Sequence, residues 1–353
     1  MMFAQFTART SLRDITLCLG SHTRKLYHAG FRGAIARSIL ADANERCDCR
    51  IFEDFAMHLI GVARGLYGRE EPLGQDFEQS VYAIDSTTID LCLSMFEWAP
   101  ATKGRAGMKV HTLLDLRGNI PAFIEITSSR IHDATFLDRL GLEAGSFYIM
   151  DRGYVHMARL VRFCHAGAFF VVRSKYQLHY RVVHSGAVIA PTPSLEVISD
   201  ERIELTGKYT HKSYAWPLRR IELYIVEQAR HITLLTNHFE LPASQIAELY
   251  KNRWQVELFF KWIKQNLRIK AFVGTSVNTV KPQIWCAVCT YVLVAIIKKR
   301  LAVDASMHAI LQVLSLSLFE TTPLGELLGT LEQCDDIEVG ATQFRLFPEI
   351  SGQ

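Results

Sequence analysis

The side chains best placed to do chemistry together lie in the run Tyr250-Lys-Asn-Arg253-Trp-Gln-Val-Glu257-Leu-Phe-Phe-Lys-Trp-Ile-Lys264. Read as one α-helix, Tyr250, Arg253, Glu257 and Lys264 fall within a stripe of roughly 60°, because their offsets nearly complete whole turns. Beside them runs an apolar stripe of Leu249, Val256, Phe260, Ile263 and Leu267, the face such a helix buries. The polar four therefore sit at the edge of a core. One carboxylate between two cations and a phenol suits a phosphodiester gripped through a metal ion. The acid takes a hard cation, the cations take phosphate oxygens, and the phenol offers a hydrogen bond or a stacking face. The same spacing also makes ordinary i,i+4 ion pairs, Arg253 with Glu257 and Glu257 with Lys261, on a solvated helix. A single carboxylate is no metal site, so further acids decide between these readings.

Two further acids stand in suitable contexts. Val81-Tyr-Ala-Ile84 is a short apolar run that ends in Asp85 and is followed by Ser86-Thr-Thr. This pattern predicts a buried strand delivering an acid at its C-terminal end. Ser146-Phe-Tyr-Ile-Met150 ends in the same way in Asp151, followed by Arg152-Gly153, where the glycine allows a tight turn into the next helix. Alone, either Asp reads as a turn or N-cap carboxylate. Asp85, Asp151 and Glu257 converging from separate elements would repel one another unless divalent cations neutralised them, so the set predicts metal.

The spacing Tyr-(2)-Arg-(3)-Glu-(6)-Lys, with Asp85 and Asp151 upstream, resembles the DDE transposases of the insertion-sequence-four family. Gly107-Met-Lys-Val-His111, Ile120-Pro121 through Thr127, His132-Asp133, Leu234-Leu-Thr-Asn237 and Phe272-Val-Gly274 are similar to that family too. The resemblance covers roughly residues 35 to 300. It implies that Asp85, Asp151 and Glu257 are the catalytic residues and hold two Mg²⁺ or Mn²⁺ ions. Tyr250, Arg253 and Lys264 are implied to hold phosphates, with Arg152 and Lys109 as further contacts unless each merely pairs a surface acid. The implied reaction is cleavage of double-stranded DNA at insertion-sequence ends, then strand transfer by the freed 3′-hydroxyl through a hairpin intermediate. A homodimer pairing the two ends, a cytoplasmic, nucleoid-associated location and no membrane contact follow. Two rivals stay open: a structure-selective nuclease of the same fold, and a truncated derivative that binds DNA without cutting it.

The elements that must position these residues divide the chain into several lobes, as expected for 353 residues of which 49% are hydrophobic. Leu12–Leu19, Gly33–Leu40 and Ile51–Leu66 are candidate helices of an N-terminal region, residues 1–70. It holds eight Arg and Lys against four acids within residues 1–50, and Arg37, Ser38, Asn44, Arg46 and Arg50 could meet a DNA backbone. Family members usually carry more residues ahead of Met1, so the resemblance implies that this DNA-binding region is incomplete. Over residues 78–174, three strands, a helix, a strand, a helix and a strand follow, the order of a ribonuclease-H-like α/β domain. Residues 175–236 read as a β-rich insertion, and 237–300 as the second part of the catalytic core. In relatives such an insertion supplies a Trp that stacks on a flipped base, and Trp216 is the Trp of this stretch. Base stacking of that kind is worth roughly 1 to 3 kcal/mol. Residues 245–270 hold six Arg and Lys against two acids. Residues 301–353 read as a helical tail.

The apolar run Ile284–Ile297, about 14 residues, falls short of the roughly 20 needed to span a bilayer and reads as a buried helix. Met1-Met-Phe-Ala-Gln-Phe6 lacks the basic start and long apolar core of a secretory signal. The eight cysteines include the close pairs Cys47/Cys49 and Cys286/Cys289. Without a second ligand cluster they read as reduced thiols.

Overall fold

The computed structural model describes residues 1–27, 30–70, 79–92, 94–99, 106–175, 178–186, 195–226, 229–267 and 272–334. Arg268, Lys270 and the acidic end of the tail lie outside these residues.

The framework is one nine-stranded mixed sheet: β1 Val81–Leu91, β2 Ala106–Asp115, β3 Ile120–Ser128, β4 Phe147–Met150, β5 Phe169–Arg173, β6 Tyr180–Ser185, β7 Leu195–Leu205, β8 Leu218–Ile225 and β9 Arg230–Thr236. They are ordered β3-β2-β1-β4-β5-β9-β8-β7-β6. β1 to β3 form an antiparallel meander, whereas β1, β4 and β5 are parallel neighbours. Val81 to Ile84, all of β4 and the centre of β5 are buried on both faces, as the unbroken apolar runs of a central parallel sheet require. The expected insertion, residues 175–236, continues this same sheet. β9 pairs antiparallel with β5 through Val171↔Thr236 and Val172↔Leu235, and β8, β7 and β6 follow outward.

Helices cover both faces. On one lie α5 (Cys49–Tyr67), α8 (Ala243–Lys251), α9 (Trp254–Asn266) and α10 (Val277–Arg300); their apolar faces share a core with Val81, Ala83, Ile149, Val171 and Ile221. On the other lie α6 (Met157–His165) and the 3₁₀ turns Asp133–Arg139 and Arg152–Tyr154, packed on Ile84, Met150, Phe170 and Val172. α10 exceeds the expected 14-residue run. It is long and apolar enough to cross a membrane, but 83% of its most apolar window is buried inside the protein, where it serves as the central helix of the first face.

Three shorter helices, α1 (Met2–Phe6), α2 (Leu12–Gly20) and α3 (Thr23–Leu26), close a small core of Ala4, Ile15, Leu19 and Leu26. α4 (Arg37–Arg46) begins four residues later than the expected Gly33–Leu40 segment would place it. Its Glu45 accepts hydrogen bonds from Ser276 Oγ (2.8 Å, on the side chain) and Asn278 Nδ2 (3.1 Å, on the carbonyl), so α4 docks on the start of α10. Asn44 is buried rather than presented outward, and Arg50 is paired with Asp48 at 2.6 Å.

The β2–β3 hairpin is held by Gly118 and Asn119, whose φ values of 69° and 55° are both left-handed. Tyr67 closes α5 over this turn and donates from its hydroxyl to the Ala295 carbonyl of α10 at 3.0 Å. A Cβ built on Gly118 would lie 2.0 Å from Tyr67 Cδ1. Gly118→Ala therefore combines left-handed strain with a ring clash. It is expected to lower stability by about 2 to 4 kcal/mol in urea unfolding; a loss below about 0.5 kcal/mol would show that the ring yields freely.

Candidate active site

β1 pairs with β4 only as far as Ile84↔Met150, so the next residue on each, Asp85 and Asp151, emerge side by side where the parallel ladder stops. The expectation that β1 ends at Asp85 is corrected. β1 runs on to Leu91 against β2, and Asp85 lies within it, paired with Thr112. Alternation along β1 turns Asp85 toward the face covered by α9, because Ala83 and Ile89 belong to the core on that side.

The helix that meets these acids is broken. α8 ends at Lys251 and α9 begins at Trp254, where a single helix was expected. Across the break the bonds are i→i−3: Arg253 N to Tyr250 O at 3.0 Å and Gln255 N to Asn252 O at 3.1 Å. The apolar residues Leu249, Val256, Phe260, Ile263 and Leu267 are nevertheless all buried, as their spacing predicts.

Arg253, at the break, brings the set together. Its Nη1 lies 3.4 Å from Asp85 Oδ2 and its Nη2 donates to Glu257 Oε1 at 2.7 Å. Asp85 also accepts from the Ser86 amide at 2.8 Å. Its carboxyl is pushed up to about 6, first by burial and then by the charges of Glu257 and Asp151, against the pull of the Ser86 amide and Arg253. Tyr250 is pushed up to about 12, chiefly by burial with a further contribution from Asp151, so it stands there as a neutral phenol. Burial opposes the charge on Arg253, yet Glu257, Tyr250 and Asp85 hold its guanidinium above the ordinary value. Lys264 donates to the Thr88 carbonyl at 3.0 Å and ties α9 to the overhanging part of β1.

The three acids are neighbours without being a ready-made metal cage. Among the described residues, no three His, Cys, Asp or Glu side chains stand close enough to share an ion. Arg253 takes the place between Asp85 and Glu257. In kind the donors fit a hard divalent cation: carboxylate oxygens from β1, the residue after β4 and α9, with Asp85 half-buried beside two other acids. The buried hydroxyl of Thr112, which pairs with Asp85, has no hydrogen-bond partner. The Glu257 side chain is 55% exposed, so it has room to swing toward Asp85.

The other sequence-derived candidates divide. Arg152 is exposed in the turn directly after Asp151. Gly153, by contrast, has no left-handed φ and nothing within 4 Å of an added Cβ, so the turn does not require glycine. Lys109 pairs with Asp133 at 3.0 Å and donates to the Ile131 carbonyl at 2.9 Å, the acid pairing that stood beside phosphate contact as its other reading. Trp216 lies away from the three acids. Arg219↔Thr236↔Val171 places the start of β8 level with the start of β5, at the sheet edge opposite the acids. There Trp216 meets the His165 ring edge-on at 5.7 Å. At the acids' own edge, a cavity of about 300 Å³ is lined by Arg173, Lys175, Tyr180 and Arg220.

The residue reading passed over a polar group behind β1. Ser86 Oγ donates to Asp133 Oδ1 at 2.6 Å, and His111 Nδ1 lies 3.9 Å from the same atom. His111 is fully buried and its pKa is pushed down to about 4 by burial, so it is neutral. The only signal in the sequence was the appearance of His111 and Asp133 within the family-like segments.

Residues 76–293 match the family profile described as Transposase DDE domain, and residues 1–32 match a domain of unknown function. The y4zB protein of Sinorhizobium fredii, which carries a transposase name, is 35% identical over 258 residues, 73% of this chain and 70% of that protein. A Geobacillus stearothermophilus protein named for transposition of insertion sequence element IS5377 is 29% identical over 68% of this chain and 62% of its own length. A Synechocystis protein named for element IS4SA is 21% identical over 74% and 71%. The cryo-EM structure of a piggyBac transposase synaptic complex with hairpin DNA aligns at a TM-score of 0.41 and 10% identity, over 75% of this chain and 59% of that one, a likeness too distant to carry an argument. With one domain profile spanning the strands and helices that gather Asp85, Asp151 and Glu257, the chain belongs to the Transposase DDE domain family and is a transposase, an enzyme that acts on DNA.

Proposed function

We propose that the chain is a DDE transposase of the insertion-sequence-four kind, with Asp85, Asp151 and Glu257 as its catalytic carboxylates. The observation that supports this reading is the half-buried Asp85 carboxylate, which like Asp151 comes one residue past the Ile84↔Met150 pair and is bridged to Glu257 by Arg253. The strand order β3-β2-β1-β4-β5, with acids at the end of the parallel ladder, supports a ribonuclease-H-like core made of residues 78–174 and 237–300. We assign β6–β9 to a family insertion that extends the core sheet, residues 1–70 to a DNA-binding region and residues 301–353 to a tail.

When bound, two Mg²⁺ or Mn²⁺ ions held by the three acids would supply Lewis acidity to activate water or a 3′-hydroxyl and to stabilise the departing oxygen. The chain's own residues do the rest. Arg253 holds Asp85 and Glu257 toward one another, and its charge then serves a non-bridging phosphate oxygen once the acids are otherwise neutralised. Tyr250, protonated at any physiological pH, donates a hydrogen bond and forms a wall of the site. Lys264 keeps α9 against β1, which holds Glu257 at the working distance. Arg152, and Arg173 and Lys175 beside the cavity, carry positive charge along the same edge and suit a DNA backbone path. Double-stranded insertion-sequence ends and target DNA are the substrates in this reading. A homodimer holds the ends together in the cytoplasm at the nucleoid.

Asp85→Asn is expected to reduce cleavage of an end-containing duplex in Mn²⁺ by at least about 10³-fold, equivalent to roughly 4 kcal/mol of barrier, with DNA affinity within twofold of wild type. Normal cutting by this variant removes Asp85 from the catalytic set. A 3′-hydroxyl donor joined to target DNA in the same assay separates a transposase from a nuclease of this fold.

The same substitution has a second consequence, for stability. The folded protein keeps the Asp85 proton to about pH 6, whereas an unfolded Asp releases it near 3.8. Protonation thus favours folding, and this group withdraws stability as pH rises through that window. Asp85→Asn has no charge to bury. In metal-free urea unfolding at pH 7 it is expected to be more stable than wild type by up to about 3 kcal/mol, with the difference vanishing below about pH 4. Equal stability at pH 7 would mean that the Asp85 charge is already fully compensated.

A further inference from the structure

Past Ile84, β1 loses its neighbour β4, so residues Asp85 to Leu91 are paired on one side only, with β2. An edge of that kind frays readily, yet this one carries the central acid of the site. Alternation sends Ser86 and Thr88 to the face opposite Asp85, and on that face the overhang is fastened. Asp133, the first residue of the 3₁₀ turn Asp133–Arg139, receives the Ser86 hydroxyl at 2.6 Å and the Lys109 ammonium at 3.0 Å. Lys109 is itself the β2 partner of Thr88, and it also donates to the Ile131 carbonyl at 2.9 Å. The turn that carries Asp133 is capped by His132, whose Nδ1 accepts from the Ala134 amide at 3.2 Å. Beneath it His111 stacks on Phe136, with ring centroids 5.2 Å apart, and shares a hydrogen bond with Thr127 Oγ1 at 2.9 Å. Burial pushes the Asp133 carboxyl up, but Ser86 and Lys109 together outweigh it and hold the group below its usual range, so it is an anion at neutral pH. Nearby, the Tyr154 hydroxyl is buried and has no well-aligned partner. Burial and the charges of Asp85, Asp133 and Asp151 keep it protonated.

From this arrangement we infer that Asp133 is a positioning residue for the cleavage reaction. It pins Ser86 from behind β1 so that the Ser86 amide holds the Asp85 carboxylate from the front. The chain of contacts is short and directional: Ser86 Oγ donates to Asp133, and Ser86 N donates to Asp85 Oδ1. Lys109 supplies the counter-charge to this half-buried acid, which is why it is turned away from the substrate side. Neither Asp133 nor Ser86 touches the reacting atoms. The functional half of this inference rests on the cleavage activity proposed above, and the bracing half does not.

The test uses the full chain, with Ser86→Ala, Asp133→Ala and the conservative Ser86→Thr. In the metal-free protein, Ser86→Ala and Asp133→Ala are expected to speed amide hydrogen exchange across residues 85–91 by tenfold or more, with exchange in β4 and β5 unchanged. Ser86→Thr, which keeps the hydroxyl, is expected to exchange as wild type does. On end-containing duplex in Mn²⁺, Ser86→Ala is expected to lower kcat 10- to 100-fold at unchanged KM, and Ser86→Thr to restore it. Wild-type exchange in Ser86→Ala, or a kcat loss no larger than the unfolded fraction measured by circular dichroism, overturns the proposal. If Asp133→Ala does not fold, Ser86→Ala decides alone, since it removes one hydroxyl and leaves the Asp133–Lys109 pair in place. A wild-type protein that cuts no DNA overturns the cleavage reading. The exchange result then still decides whether Asp133 braces β1.

Discussion

Two half-buried carboxylates emerge next to each other from adjacent parallel strands. Everything around Asp85 and Asp151 answers the repulsion this creates. In a low-dielectric setting, an anion without a partner is held only at a cost of several kcal/mol, or it takes up a proton. Asp85 is caught between the two, with a carboxyl pushed up to about 6. The nearest relief is Arg253, which arrives from the far end of the chain at a break between two helices. That break has a clear function in these terms. It lets α8 pack over β5 while α9 packs over β1, and it leaves at the joint a side chain long enough to reach both Asp85 and Glu257.

The arrangement separates forces by sheet face. On the α9 side stand the acids, Arg253, Tyr250 and the buried Thr112 hydroxyl, a surface of uncompensated or barely compensated polarity. On the opposite side Asp133, Ser86 and Lys109 form a compensated group. Stability lost on one face is thus confined to a strand that is fastened on the other. The wider scaffold supports the same strand at its base, where α5, α10 and the β2–β3 turn meet at Tyr67 and Tyr291; Tyr291 donates to the Asn119 carbonyl at 2.9 Å.

The strands β6–β9 make the sheet wide rather than forming a separate body, since β9 takes up the free edge of β5. β7 and β8 alternate more and less buried residues, as a sheet with one solvated face should, and the edge strand β6 is largely exposed. This continuation carries Trp216 to the edge remote from the acids, whereas Arg173 and Lys175 come to the acids' edge at the end of β5. Proximity in sequence to a β-rich segment was a poor guide to which end of that segment faces the site.

Much of the candidate site was legible in residue types and spacing. Short apolar runs ending in Asp85 and Asp151, and an amphipathic run carrying Arg253 and Glu257, are local patterns, and local patterns follow from burial and periodicity alone. The buried stripe Leu249, Val256, Phe260, Ile263 and Leu267 held for the same reason, even across the helix break. Only the tertiary structure decided the rest. β1 runs past Asp85 because β2 goes on pairing with it, Lys109 turns inward because Asp133 lies across from it, and Trp216 lies at the remote end of the sheet because β7 ends and β8 begins there. Each depends on which groups meet across long separations in the chain. Spacing along one segment carries no record of such partners, whereas desolvation and hydrogen bonding act on the pairs that folding creates.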